Sequence, residues 1–224
     1  MKLILSVGGS LISKKDGIDH AFVKSLVKKL VELKKNYDII AFVGGGSLAR
    51  EYIKSAKKIG VKENKKLDMI GIKVTQLNAE LIRTSLGKHA FPKVVSNPEK
   101  IITSKKIIIC SGWKPGWSTD YDAVIAAKKQ NVRRVINLTN IDYVYDKDPN
   151  KYQNAKPMKN MMWDDMLKII SKFKWKPGLN LPFDPRASIF AQKNRIEVII
   201  INGKKLNELQ KYLNGKDFRG TRIY

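Results

Sequence analysis

The sequence predicts an α/β fold built on a mostly parallel sheet. Strand-length apolar runs alternate with segments of helical spacing along all 224 residues. Three of those runs lead into glycine turns, at 8–10, 44–46 and 112–119, and a helical segment follows the last two directly. Right-handed crossovers bring the carboxyl ends of parallel strands to one edge of a sheet, so these turns are predicted to lie together.

Composition indicates one domain spanning 1–224. Hydrophobic residues make up 43% and charged residues 29%, and no linker-like segment interrupts the pattern. The single cysteine, Cys110, excludes an internal disulfide and a cysteine zinc site, and it is predicted to be a buried core residue. Apolar runs such as 196–201 are too short to span a membrane, and the first strand begins without a signal-peptide pattern, which predicts a cytoplasmic protein.

The net charge of +24 raises the alternative of nucleic-acid binding. However, the lysines are spread over every predicted helix and loop, with no RNA-type aromatic motif and no arginine-rich arm. We therefore interpret the charge as a solvated surface that attracts polyanions such as nucleotides, and we keep nucleic-acid binding as the less favoured hypothesis.

The N-terminal half reads as two strands with their helices. Asp19 is placed to cap a helix that ends near Asn36, and Gly87 ends a long helix. The predicted strands are 2–7, which continues at 11–12 after a glycine bend, and 39–43. Three helices are predicted: one that begins after Asp19, one at 48–59 and one at 65–86.

The triple glycine at 44–46 is a candidate phosphate site. Glycines permit positive φ and leave room for an anion to approach backbone N–H groups at the start of the following helix. Arg50 lies about one turn into that helix, within reach of a bound phosphate. A tight turn without a ligand explains the glycines equally well at this point.

The loop at 112–119 follows a predicted strand at 106–110. Gly112 and Gly116 allow a close backbone approach, and Ser118 or Thr119 can cap the helix that contains 123–127. Trp113 and Trp117 either pack in the loop or stack on a base.

The C-terminal half continues the alternation. Asp184 and Pro185 carry the cap and first-turn residues of a helix. The remaining predictions are a short strand at 91–95, strands at 132–138, 196–201 and 220–224, a polar segment at 139–149, helices at 163–172 and 204–213, and an irregular stretch at 173–183.

These motifs, taken in order, resemble the amino acid kinase superfamily and within it the archaeal-type uridylate kinases. The resemblance covers essentially the whole chain. It rests on Gly8-Gly9-Ser10, on Val43 through Arg50, on Leu67 through Ile72 with Leu77-Asn78-Ala79, on Gly112 through Asp120, and on Leu138 through Pro149.

The resemblance implies a three-layer αβα sandwich with about eight strands, and transfer of the γ-phosphate of ATP to UMP. It implies an acceptor lobe at about 1–130, an ATP lobe at about 131–224, Mg²⁺ carried with ATP, no metal held by the protein alone, and a homohexamer. Arg50 is the implied catalytic residue. The implied UMP contacts are Gly45, Asp68, Trp113, Lys114, Pro115, Gly116, Trp117, Ser118 and Thr119; the implied ATP contacts are Gly9, Ser10, Gly46, Arg50, Thr139, Asn140, Tyr145 and Asp148.

The chain also departs from this pattern. Ser6 stands where many relatives carry a lysine, so the catalytic charge must come from elsewhere, with Arg50 ahead of Lys14, Lys15 or Lys114. Other departures are Gln76 in place of an arginine, Ser111, Trp113 and Trp117 in the third loop, and Tyr143 in place of a glycine.

The nearest alternative is another small-molecule kinase of the superfamily, such as isopentenyl phosphate kinase. Such enzymes commonly place a histidine beside the triple glycine, where this chain has Val43; its histidines are His20 and His89, and neither is near a predicted loop.

Overall fold

The computed structural model describes residues 1–147, 149, 151–171 and 182–224. Its strands are β1 (Lys2–Val7), β2 (Ser13–Lys14), β3 (Gly17–Ile18), β4 (Asp38–Val43), β5 (Ile108–Cys110), β6 (Arg134–Thr139), β7 (Val144–Tyr145), β8 (Pro157–Met158), β9 (Asn160–Met161), β10 (Glu197–Asn202) and β11 (Gly220–Ile223). Its helices are α1 (Gly9–Ile12), α2 (His20–Leu33), α3 (Gly46–Lys58), α4 (Asn64–Leu86), α5 (Thr119–Lys129), α6 (Trp163–Ser171), α7 (Pro185–Lys193) and α8 (Leu206–Leu213). Short 3₁₀ turns occupy Gly87–His89 and Pro98–Lys100.

The central sheet has seven strands in the order β5-β4-β1-β6-β10-β11-β9, where about eight were expected. The first five run parallel, and β11 pairs antiparallel with β10. Val7 pairs with both Val43 and Leu138, and Asn202 pairs with Thr139. This register brings the carboxyl ends of the strands to one edge, and with them the glycine turns.

Helices cover both faces of this sheet, so the predicted three-layer α/β fold is confirmed. Leu5 and Val7 face a core shared with α1, α2, α4 and α8, whereas Ile4 faces a second core shared with α5, α6 and α7. Cys110 is fully buried in the second core, and burial raises the pKa of its thiol well above the usual value. Within the described ranges, no helix is long and apolar enough to cross a membrane.

The predicted helix starts are confirmed by their caps. The side chains of Asp19, Ser118 and Asp184 accept backbone N–H bonds from the third residue beyond them, at 3.1, 3.1 and 2.8 Å. Each cap satisfies a donor that the helix itself leaves unpaired, which explains why these short polar residues mark the boundaries.

Three local predictions were wrong. Leu11 and Ile12 belong to the single-turn helix α1 rather than to a continued strand, because Leu11 N–H bonds back to the carbonyl of Gly8. Segment 91–95 is not a regular strand, since this edge has only isolated bridges, from Ala90 to Ile107 and from Val95 to Cys110. Helix α3 begins at Gly46, two residues before the predicted start.

The first two glycine turns pack backbone against backbone. A Cβ added at Gly9 would lie 2.1 Å from the nitrogen of Gly46 and 2.5 Å from the carbonyl carbon of Gly44. Gly46 has φ of +67°, and a Cβ there would lie 2.2 Å from the carbonyl oxygen of Gly9. No larger residue fits at either position without moving the backbone, so the two turns fix each other.

We expect Gly9→Ala to lower the free energy of unfolding by about 1–3 kcal/mol or more, the usual cost of overpacking. Gly71→Ala is the matched control, because its added Cβ would meet only the Cδ1 atom of Ile53 at 3.4 Å within a helix, where alanine is favoured over glycine. Thermal and urea unfolding of both variants would check this. Equal stability of Gly9→Ala and the wild type would contradict the packing argument.

Candidate active site

A cleft of about 840 Å³ opens beside the second glycine turn, walled by α3, α4, the loop 112–119 and the start of α7. Eight predicted site residues line it together: Gly45, Gly46, Arg50, Asp68, Gly116, Trp117, Ser118 and Thr119. They come from segments far apart in the chain, and the size of the cleft is that of a small-molecule site.

The glycine turn at the base of the cleft is held by side chains from outside it. The buried Asn78 donates Nδ2 bonds to the carbonyls of Gly44 and Gly45, at 2.9 and 3.2 Å. Ser13 donates to the same Gly45 carbonyl at 3.2 Å. These bonds fix the orientation of the peptides that a phosphate would meet. Asn78 belongs to the Leu77-Asn78-Ala79 motif, but the motif alone does not predict that its side chain holds the glycine turn.

Helix α4 also holds the loop 112–119 at two points. The hydroxyl of Thr75 accepts a bond from the N–H of Gly112 at 2.9 Å, and Asp68 accepts one from the N–H of Gly116 at 2.8 Å. From the opposite side, Arg186 donates to the carbonyl of Gly116 at 2.9 Å. In the sequence, Arg186 is distinguished only by its place two residues after the cap of a predicted helix.

Three predicted acceptor contacts, Trp113, Lys114 and Pro115, are not among the residues that line the cleft. The ammonium group of Lys114 lies 4.2 and 4.0 Å from the ring centroids of Trp113 and Trp117, a cation–π arrangement with both. Trp117 also packs edge-on against Tyr121, with centroids 4.6 Å apart. Trp117 therefore both packs in the loop and lines the cleft. Contact of Trp113, Lys114, Pro115 and Trp117 with a ligand stays a prediction.

The cleft carries an excess of positive charge. Arg50, Lys54, Lys57 and Arg186 line it, against the carboxylates of Asp68 and Asp184. Arg50 is exposed on α3 and is the cation nearest along the chain to the glycine turn. Lys14, one of the alternatives to Arg50, forms an ion pair with Asp19 instead. The balance of charges suits an anionic ligand.

Three carboxyl groups, those of Asp120, Asp122 and Asp184, cluster between the start of α5 and the start of α7. Burial raises the pKa of Asp120 to about 6 and that of Asp122 to about 8, and it also raises the pKa of Asp184. Ser6, at the position of the absent lysine, donates to Asp120 at 2.6 Å. Asp122 is fully buried; one of its oxygens accepts the N–H of Trp113 at 3.1 Å, and the other has no partner among the described residues.

The predicted ATP contacts lie along the carboxyl edge of the sheet. Gly9 and Ser10 begin α1, and Thr139 ends β6, where its carbonyl accepts the N–H of Gly203 at 2.8 Å. Asn140 follows β6, and Tyr145 lies in β7, packed edge-on against Tyr143. The predicted contact Asp148 lies outside the described residues.

The segment after β6 is ordered by Asp142. Its carboxylate accepts bonds from Lys205 and Asn202 at 2.8 and 2.9 Å and pairs with Arg219 at 3.2 Å. Burial acts to raise its pKa, but these partners outweigh burial and hold the pKa below the usual value. Tyr143, which replaces a glycine, is not among the described residues with positive φ, so the segment needs no glycine there.

The sequence model of the amino acid kinase family matches residues 1–202. The chain belongs to the amino acid kinase family. A uridylate kinase of Methanobrevibacter smithii is 35% identical over 226 residues, covering 100% of this chain and 99% of its own length. A uridylate kinase of Staphylothermus marinus is 41% identical over 207 residues, covering 89% of this chain and 92% of the relative.

Solved structures of a uridylate kinase and a UMP kinase have the same fold as this chain. The uridylate kinase of Archaeoglobus fulgidus superposes with a TM-score of 0.84 at 29% identity, and each chain is covered completely. A UMP kinase of Ureaplasma parvum, at 20% identity and a TM-score of 0.81, shares the fold. The family suggested by the sequence motifs is thus confirmed over the whole chain.

We expect Asp122 to make stability depend on pH. In the unfolded chain an aspartate ionises above about pH 3.8, whereas the folded protein holds the proton on Asp122 up to about pH 8. The folded state therefore binds more protons between these values, and its stability falls as pH rises through that window. Lys114 opposes this effect, and Asp120 and Asp184 reinforce it.

Asp122→Asn removes the titrating group while keeping its shape. The melting temperature of this variant relative to wild type should increase by at least about 2–4 °C between pH 5 and pH 8, which corresponds to about 1 kcal/mol for a chain of this size. The exposed Asp16→Asn is the control. Parallel melting curves for Asp122→Asn and wild type across that range would show that Asp122 is ionised in the folded protein.

Proposed function

We propose that this protein transfers the γ-phosphoryl group of ATP to UMP, giving UDP and ADP. The observation that carries the proposal is the cleft in which the triple-glycine turn, Arg50 and Asp68 converge. The curated relatives at 35% and 41% identity are uridylate kinases, and they match this chain over nearly their full length. The excess of positively charged side chains in the cleft suits the negative charge of a nucleoside monophosphate.

UMP is assigned to the cleft. Its phosphate would lie at Gly45 and Gly46 beside Arg50, and its ribose hydroxyls would meet the carboxylate of Asp68. Because one oxygen of Asp68 accepts the N–H of Gly116, the carboxylate is already oriented before a ligand binds. The base would lie along the loop 113–119, where Trp117 offers an aromatic surface.

ATP is assigned to the carboxyl edge over the C-terminal half, about 131–224. Its phosphates would approach Gly9, Ser10 and Gly46, because the close contact between the two glycine turns places the first helix start beside the cleft. Thr139, Asn140 and Tyr145 extend from there along the edge, and Asp148 remains an expected contact. This arrangement makes the half at 1–130 the acceptor side of a single domain.

Phosphoryl transfer of this kind requires in-line positioning and neutralisation of charge more than covalent chemistry. The acceptor is a phosphate oxygen, so no general base is needed. Mg²⁺ is held at such sites largely by substrate phosphates with one or two carboxylates. No group of three or more His, Cys, Asp or Glu side chains that could hold a metal occurs within the described ranges, so the ion would be carried mainly by the phosphates of ATP. Mg²⁺ would neutralise charge on the transferred group.

A hexamer built from dimers is proposed as the assembly. Met69, Leu77 and Leu81 are exposed at 43%, 63% and 37%. Leu77 and Leu81 are four residues apart and therefore neighbours on the surface of α4, and Met69 lies about two turns before Leu77. Exposed apolar side chains so grouped favour self-association. The proposed reaction belongs to pyrimidine nucleotide synthesis, which agrees with the predicted cytoplasmic location.

A coupled ADP-release assay tests the activity. We expect the highest kcat/KM with UMP when UMP, CMP, dUMP, isopentenyl phosphate and acetylglutamate are compared at saturating ATP and Mg²⁺. A clear preference for any other acceptor would reject the proposed substrate. Binding of nucleic acid that persists at about 0.15 M salt would instead favour the alternative function suggested by the basic charge.

Arg50→Ala should lower kcat by about tenfold to a thousandfold, as expected for removal of an electrostatic stabiliser of the transition state. Lys58→Ala is the control, because Lys58 is exposed on the same helix and is not among the residues that line the cleft. Steady-state kinetics with UMP and ATP would measure both variants. Turnover near the wild-type value in Arg50→Ala would remove Arg50 from the mechanism.

A further inference from the structure

Arg186 lines the cleft although it belongs to none of the motifs that suggested the function. It is the second residue of α7, and the start of that helix is fixed by the Asp184 cap, which accepts the N–H of Ala187 at 2.8 Å. Its guanidinium NH1 donates to the carbonyl oxygen of Gly116 at 2.9 Å. Residue 186 is exposed, so this bond faces the open side of the cleft and is not part of a packed core.

Gly116 is held from two sides at once. Its carbonyl accepts the bond from Arg186 on α7, while its N–H donates to Asp68 on α4 at 2.8 Å. Gly116 has φ of +82°, a conformation that an ordinary side chain would strain. The chain Asp68–Gly116–Arg186 therefore bridges two walls of the cleft through one residue of the loop.

We propose that Arg186 is a positioning residue for the acceptor, acting through Gly116. Arg186 holds the peptide that joins Gly116 to Trp117, and Asp68 holds the preceding peptide through the N–H of Gly116. The two bonds together restrict rotation about the Cα atom of Gly116, which keeps the Asp68 carboxylate oriented and Trp117 at the cleft. A charge-assisted bond from a planar guanidinium suits this purpose better than a neutral donor. The inference rests on the proposed function, because the acceptor it positions is UMP.

The kinetic test compares Arg186→Ala and Arg186→Lys with Lys193→Ala, an exposed residue in the last turn of the same helix. Arg186→Ala should raise KM for UMP by about tenfold, the effect of losing one hydrogen bond to a charged group, with KM for ATP unchanged. Arg186→Lys should recover part of the loss, because it keeps the positive charge and the capacity to donate a hydrogen bond. An equal rise in both KM values, or no rise, would overturn the assignment.

Amide hydrogen exchange in the nucleotide-free protein separates this inference from the proposed activity. Arg186→Ala should increase exchange in peptides covering 112–119, and Arg186→Lys and Lys193→Ala should exchange more slowly there than Arg186→Ala does. Unchanged exchange in Arg186→Ala would overturn the role of Arg186 whatever the substrate. If the wild type fails to phosphorylate UMP but the loop loses protection in Arg186→Ala, the proposed function fails and the contact between Arg186 and the loop stands.

Discussion

The contact between the two glycine turns is the constraint on which the site depends. β1 and β4 are adjacent and parallel, and Val7 pairs with Val43 at their ends. The turns that follow therefore leave the sheet side by side, close enough that a Cβ at Gly9 would lie 2.1 Å from the nitrogen of Gly46. This packing alone requires glycine at positions 9 and 46, whether or not a ligand binds. In the proposed reaction, the same closeness would bring the donor and acceptor phosphates together.

The base and the wall of the cleft are held by different forces. The base is fixed by steric contact between backbones and by Asn78, which is buried. The wall formed by the loop 112–119 is held by three single hydrogen bonds: Thr75 and Asp68 accept from its backbone N–H groups, and Arg186 donates to one of its carbonyls. Each such bond contributes only about 0.5–3 kcal/mol. The base is more constrained than the wall, because its close backbone contacts leave no room for a larger residue at Gly9 or Gly46.

The sequence predicted the elements better than the contacts between them. Alternating apolar and helical patterns are local, and the caps at Asp19, Ser118 and Asp184 are local too, so both could be read directly. Asn78 reaches Gly44 across 34 positions, and Arg186 reaches Gly116 across 70. Such pairs depend on strand order and on the rotation of each helix. Family motifs supplied part of this missing information, but they did not include Arg186.

The failure at residues 11–12 has a related cause. An apolar pair after a glycine bend is equally compatible with a continued strand and with a single helical turn. The choice is made by the neighbouring turn, because Gly9 must present its bare backbone to Gly44 and Gly46 and the chain then has to curve away. The conformation of residues 11–12 is thus set by the contact of Gly9 with Gly44 and Gly46, which the local sequence pattern does not predict.

The distribution of charge explains how the site can lack a lysine at the end of β1. Ser6 occupies that position and donates to Asp120, so this point belongs to a cluster of carboxyl groups whose pKa values are raised by burial. Positive charge is instead carried by α3 and by Arg186, whose exposed side chains line the cleft. Exposed charges attract an anion over a distance but are screened by water and salt. In the proposed reaction, tight phosphate binding would then rely on backbone N–H groups of the glycine turns. The packing of Gly9 against Gly46 would thus be a condition for the proposed chemistry as well as for the fold.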